Sequence, residues 1–113
     1  MKFTRTIVEK VFENLGKTPE SIREFNDGRS FDVDLEDEWG DSLRVIINSN
    51  NHVTFSTALD YKSTFDKEDI KFFDSINVTS WEIYKHWITF GVDVRDGKEL
   101  GDVTRKVMDR YFD

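Results

Sequence analysis

Three stretches between residues 31 and 59 alternate apolar and polar residues, and this pattern constrains the fold more than any other feature of the sequence. The apolar positions are Phe31, Val33 and Leu35, then Leu43, Val45 and Ile47, then Val53, Phe55 and Leu59. Successive side chains of a strand point to opposite faces, so each run is typical of a strand with one buried face and one solvated face. The sequences EWGD and NSNN between the runs have the composition of turns. We therefore predict a three-stranded antiparallel meander.

Helical periodicity appears near both ends of the chain and once after the meander. Apolar residues recur at helical spacing over 5–15, and Asp66 with Asp69 forms a capping box for a short helix over about 67–75. The segment 98–112 has the broadest apolar stripe, which consists of Leu100, Val103, Thr104, Val107, Met108, Tyr111 and Phe112. The ion pairs Asp102–Lys106 and Arg105–Asp109 are expected on its outer face.

A second short helix is predicted over 19–26. Thr18 is a suitable cap residue, Pro19 occupies the first helical position, and Asp27-Gly28 is a stop signal. Ile22 and Phe25 are spaced as on one helix face.

The segment 81–94 does not fit one regular strand. One parity carries Ile88, Phe90, Val92 and Val94, and the other carries Trp81, Ile83 and Trp87. The parity changes between Ile83 and Ile88, so a hairpin or a bulge is expected near 84–87. The sequence YKHW contains no Gly, Asn or Asp, which disfavours a tight hairpin. A bulge, or a long bent strand whose second face something else covers, stays open, and we expect the C-terminal helix to pack across Ile88, Phe90 and Val92.

These elements predict a single α+β domain over 1–113, an antiparallel sheet of about 4–5 strands with helices at both ends. The order is α-(α)-β-β-β-α-β-(β)-α. In element order and acidic balance the chain resembles type III secretion chaperones and the bacterial chaperone-like regulators that share their fold. The resemblance implies a dimer that binds segments of other proteins without catalysis, and no sequence motif accompanies it.

Composition restricts the class of partner. The chain has 23 acidic and 16 basic side chains, a net charge of −7. A surface of that sign repels phosphate backbones, so we expect no direct nucleic-acid binding and favour basic protein partners. Cysteine is absent, and the charged N-terminus lacks the apolar core of a signal peptide. We expect a cytoplasmic protein without membrane association.

Catalytic and metal motifs are weak. The acidic run that starts at Asp32 has Asp37 and Leu43 where a calcium loop needs Gly and Glu. His52 and His86 have no metal-binding spacing. Asp-x-Lys triplets occur at 60–62, 69–71 and 96–98, which is frequent enough in a charged chain to carry no weight. We expect no enzyme, no metal and no cofactor.

Aromatic residues stand out as candidates for binding. The candidate site residues are Trp39, Trp81, Tyr84 and Trp87, with Asp37, Glu38 and Asp41. Tryptophan and tyrosine anchor interfaces and also fill cores, so the assignment of each to surface or core stays open. The first hypothesis is a small acidic protein-binding module, a chaperone-like homodimer or an adaptor.

The alternative is an acidic immunity-type or phage-encoded inhibitor that occupies the basic site of a nuclease or another nucleic-acid enzyme. Electrostatic complementarity would then come from the acidic residues Asp32, Asp34, Glu36, Asp37, Glu38 and Asp41.

Overall fold

The computed structural model describes residues 2–59 and 65–112, which form three helices and six strands. The helices are α1 (Arg5–Asn14), α2 (Lys67–Ser75) and α3 (Gly97–Tyr111). The strands are β1 (Ser21–Phe25), β2 (Ser30–Glu36), β3 (Ser42–Ile47), β4 (His52–Ala58), β5 (Ser80–Tyr84) and β6 (Trp87–Asp93). The α+β class is confirmed, and the number of strands exceeds the predicted 4–5.

All strands pair antiparallel in one sheet of order β1-β2-β3-β4-β6-β5. The meander predicted over 31–59 is present as β2, β3 and β4. Strand β6 pairs with β4, so the C-terminal hairpin continues the sheet instead of forming a second layer.

One face of the sheet, called here the helix face, carries the alternating apolar residues and is covered by the helices. Its core side chains Val33, Val45, Phe55, Ile88 and Phe90 are at most 1% exposed, together with Val107 of α3. The ring of Phe90 lies 5.9 Å from the Tyr111 ring of α3. The predicted packing of the C-terminal helix over β6 is thus confirmed. The other face, called the open face, has no helix of the described structure packed on it.

The helix predicted over 19–26 is wrong, because this segment contains strand β1 and the turn that follows. Asn26, Asp27 and Gly28 all have positive φ angles, of 52°, 56° and 76°, which suits a tight reversal into β2. The spacing of Ile22 and Phe25 that indicated a helix face is incidental. A non-local ion pair, Arg23 to Asp32 across the strands, helps to fix the extended conformation.

The interruption expected near 84–87 is confirmed, but it is the tight hairpin that the turn residues disfavoured, and not a bulge or a bent strand. Tyr84 pairs with Trp87, so Lys85 and His86 form a two-residue hairpin loop. Lys85 takes the left-handed conformation that Gly or Asn usually supplies, with φ of 56°. The hairpin places Trp81 opposite Phe90 and Ile83 opposite Ile88, which puts both on the helix face and resolves the parity conflict.

Two further results concern the ion pairs predicted on α3 and the length and polarity of the helices. The pairs Asp102–Lys106 and Arg105–Asp109 do not form within this described helix. Among residues 2–59 and 65–112, no helix is long and apolar enough to cross a membrane.

Candidate functional site

The turn between β2 and β3 holds Trp39 on a rigid support. The Asp37 carboxylate oxygen Oδ1 accepts hydrogen bonds from the backbone N–H groups of Trp39 and Asp41, both at 2.9 Å. The Asp37 N–H donates to the Asp41 carbonyl at 2.9 Å, and Gly40 supplies a positive φ of 82°. An aspartate side chain that accepts hydrogen bonds from the backbone of its own turn mimics a backbone turn and stabilises that conformation.

Trp39 is 81% exposed. Tryptophan is among the most buried residues on average, so an almost fully exposed ring on a fixed turn is unusual. Glu38 and Asp41 of the same turn are exposed as well, so the turn carries two exposed carboxylates beside Trp39 in the sequence. We call residues 37–41 the tryptophan turn.

Strand register brings Tyr84 and Trp87 to the same end of the sheet as the tryptophan turn. Ser42 starts β3 directly after the turn, Leu43 pairs with Thr57 of β4, and Ala58 pairs with Trp87. Tyr84 and Trp87 are 66% and 46% exposed. Three of the four predicted aromatic residues are therefore collected at one end of the sheet, although Trp39 is 45 and 48 positions from Tyr84 and Trp87 in the sequence.

An open cavity of about 410 Å³ lies beside Trp87 on the open face. It is lined by Asp34, Ser42, Arg44, Ser56, Trp87 and Thr89. The lining is polar apart from the indole, and the Ser56 and Thr89 hydroxyls hydrogen-bond to each other at 3.0 Å. The surface next to Trp87 therefore offers donors and acceptors beside an apolar ring, as binding sites do.

Asp32 does not belong to the exposed acidic surface, contrary to the inhibitor hypothesis. Its carboxylate accepts two hydrogen bonds from Arg44, at 2.9 and 2.6 Å, and one from Arg23 at 2.6 Å. The hydrogen bond from Arg44 is the largest influence on the pKa of Asp32 and, with Arg23, holds it below its usual value despite burial. The carboxylates that stay available at this end are Glu36, Glu38 and Asp41, with Asp34 and Asp37 partly covered.

Trp81 is separated from the other candidates. It faces the helix side at the edge strand β5, where its ring lies 4.8 Å from the Phe65 ring and 6.1 Å from the Phe73 ring. It is still 48% exposed, so it caps the core at the sheet edge.

The residues weighed for catalysis have structural partners. Asp96 caps α3, and Asp69 accepts hydrogen bonds from Arg110 and Tyr111 while it closes the α2 capping box. The triplet at 60–62 lies outside the described residues. His52 Nδ1 lies 2.9 Å from Asp93 Oδ1, and its ring occupies the space above Gly91. Within the described segments no group of three or more metal-ligating side chains is close enough to hold an ion.

Sequence reasoning missed the two arginines that hold Asp32. The sequence feature that could have revealed them is the alternation of side chains in β1 and β3. It places Arg23 opposite Asp32 and Arg44 opposite Asp34, on the same face of the sheet. It required β1 to be recognised as a strand.

Comparison with known proteins adds no relative: no family model matches the chain, and no curated protein is significantly similar to it.

Proposed function

We propose that this protein is a non-catalytic binding module that captures a basic segment of another protein with the tryptophan turn. The observation that carries the proposal is the 81% exposed Trp39 on a turn locked by the Asp37 carboxylate. A turn whose backbone is already fixed loses little backbone entropy when a partner covers the ring that it carries. Tryptophan is also the residue most enriched among interface hot spots.

The charged residues near Trp39 indicate which kind of partner would bind. Glu38 and Asp41 are exposed in the same turn as the indole, Glu36 is exposed at the end of β2, and Asp34 lines the cavity beside Trp87 together with Arg44. Lysine or arginine beside an apolar residue would complement this arrangement, because cations also interact favourably with indole faces. The element order and the acidic balance support a chaperone-like or adaptor role.

The second candidate is an acidic inhibitor of a nuclease or another nucleic-acid enzyme, and the carboxylates around Trp39 favour it. In that case the basic segment belongs to the active site of the enzyme. Stoichiometric inhibition of a nuclease encoded beside the gene of this chain would separate an inhibitor from a chaperone-like module.

A peptide library tests the proposal. Short peptides that combine one apolar residue with lysine or arginine are displayed together with matched peptides in which glutamine replaces the basic residues. We expect the basic set to be selected, and calorimetric affinity of a selected peptide to fall as salt screens the charges. Trp39→Ala should weaken binding at least about tenfold, or about 1.4 kcal/mol.

Charge-matched variants provide the control. Glu38→Gln with Asp41→Asn should weaken binding, whereas Asp74→Asn with Asp109→Asn, two exposed carboxylates on the helices, should leave it unchanged. Selection of neutral peptides, or equal affinity of the Trp39→Ala variant, would contradict the proposal.

A further inference from the structure

A groove of about 740 Å³ lies between α1 and α3. Its floor is apolar and consists of Ile7, Val11, Leu15 and the two glycines Gly97 and Gly101. The glycines lie one turn apart on α3, and a Cβ on Gly97 would already come within 3.2 Å of Ile7. The absent side chain at Gly97 lets α3 approach Ile7 closely, whereas a Cβ on Gly101 would meet only Val11, at 3.8 Å, so the room for one bulky apolar group from outside lies over Gly101.

The rim of the groove is basic although the chain is acidic. Lys10, Lys98, Arg105 and Lys106 surround it, against one carboxylate, that of Asp102. None of these four cations has an ion pair or side-chain hydrogen bond within the described structure, whereas the other six arginines of the chain all do. A groove with an apolar floor and unpaired cations at its rim would suit an apolar side chain that has carboxylate groups on neighbouring residues.

The tryptophan turn has this chemistry. Trp39 is an exposed apolar ring, and the exposed Glu38 and Asp41 add two carboxylates in the same turn. We propose that the α1–α3 groove receives the tryptophan turn of a second copy of this chain. This inference rests on the proposed function of the turn and names one partner for it.

The fold prevents a molecule from filling its own groove. Trp39 lies at the end of the sheet where β6 begins with Trp87, and α3 starts with Gly97 just after β6 leaves the opposite end. The turn and the groove are different surfaces, so the contact between copies is head-to-tail and forms rings or open chains. Self-association and binding of another basic protein would compete for the same Trp39.

Complementation of two variants tests this arrangement. Trp39→Ala removes the inserted ring, and Gly101→Glu fills the groove and adds a carboxylate that would repel those of the tryptophan turn. A Cβ at position 101 meets only Val11, at an ordinary contact distance of 3.8 Å, and glutamate is a better helix former than glycine, so the second variant should fold. Melting temperatures of both variants provide the check on folding.

Sedimentation velocity gives the readout. The wild-type chain should associate increasingly with concentration, and each variant alone should have a dissociation constant at least about tenfold higher. An equimolar mixture should form a heterodimer and nothing larger, because only one intact turn and one intact groove remain. Rescue of Lys98→Glu by Glu38→Lys in the other chain would confirm the charge contact.

Three results would overturn the inference. They are a wild-type chain that stays monomeric at the highest concentration it reaches, self-association that Gly101→Glu does not weaken, and a mixture of the two variants that remains monomeric. If one of these results occurs while the Gly101→Glu chain still binds selected basic peptides through Trp39, the proposed function stands and only the self-association is rejected.

Discussion

Asp69 illustrates how single carboxylates connect elements in this protein. Its Oδ1 atom accepts hydrogen bonds from Tyr111 Oη at 2.7 Å and from Arg110 Nη2 at 2.9 Å, which fastens α2 to the end of α3. Burial alone would raise the pKa of Asp69, but the hydrogen bonds from Tyr111, the Asp66 backbone and Arg110 outweigh it and lower the pKa. The same carboxylate caps α2, so one side chain serves two contacts.

The lowered pKa values of Asp32 and Asp69 predict an acid-sensitive fold. A carboxyl group with a lower pKa in the folded state stabilises the protein above its unfolded pKa, near 3.8. That contribution is lost as pH falls below 3.8 through the folded-state pKa. Urea unfolding at several pH values should show a free energy of unfolding that is constant near neutrality and declines below about pH 4.

Asp69→Asn separates this contribution from those of the other carboxylates. The variant should be less stable than wild type by about 1–3 kcal/mol at pH 7, because charged hydrogen bonds are lost, and the difference should shrink toward about pH 2. Asp109→Asn, an exposed neighbour on α3, is the matched control. A difference that is independent of pH would contradict the assigned role of the carboxylate.

At the scale of elements, the β5–β6 hairpin has an unusual loop. Lys85 has a φ of 56° without being Gly, Asn or Asp. Lys85→Gly should therefore stabilise the protein by up to about 1 kcal/mol, since the left-handed conformation is strained for a residue with a Cβ. Denaturant titration measures the change. His86→Gly, at the neighbouring loop position with no positive φ, should destabilise instead, and the same sign for both variants would contradict the argument.

The two faces of β6 predict different costs for two aromatic substitutions. Phe90 is 1% exposed and packs against the rings of Phe55, Phe73 and Tyr111. Phe90→Ala should cost about 3–5 kcal/mol of stability. Trp87 is 46% exposed on the open face, so Trp87→Ala should lower the melting temperature much less. Equal losses would place Trp87 in the core.

Burial of α3 predicts the most severe substitution. Val107 is fully buried, and Val107→Asp would put an unpaired charge beneath α3. We expect loss of cooperative unfolding in thermal melts monitored by circular dichroism. Arg105→Asp, two positions away on the exposed side, should retain the native melt.

At the scale of the whole molecule, the meander and the three confirmed helices follow from local periodicity. Strand β1 could not be recognised because Ile22 and Phe25 fit a helix equally well, and its pairing with β2 is a non-local preference. The turn residues of YKHW disfavour a tight hairpin, yet one forms for a related reason: Lys85 accepts a strained conformation because cross-strand pairs such as Trp81 with Phe90 favour this register. The conformational preference of the turn residues is weaker than the combined stabilisation from the cross-strand pairs.

The candidate surface was predictable in part. Trp39 at the tip of a turn, with carboxylates beside it, follows from the sequence alone. Its grouping with Trp87 depends on the order β3-β4-β6, in which a late strand pairs beside the meander, and periodicity cannot specify strand order. The exclusion of Trp81 and Asp32 required side-chain contacts that only the structure contains.

The central claim is that Trp39 is the anchor of a binding surface, and the fluorescence of this single indole tests it most directly. Trp81→Phe and Trp87→Phe leave Trp39 as the only tryptophan of the chain. At a concentration where the chain is monomeric, Trp39 should emit as a solvent-exposed indole and be readily quenched by acrylamide. When a selected basic peptide saturates the protein, we predict a blue shift and protection from quenching. Emission and quenching that stay unchanged in the saturated complex would contradict the claim.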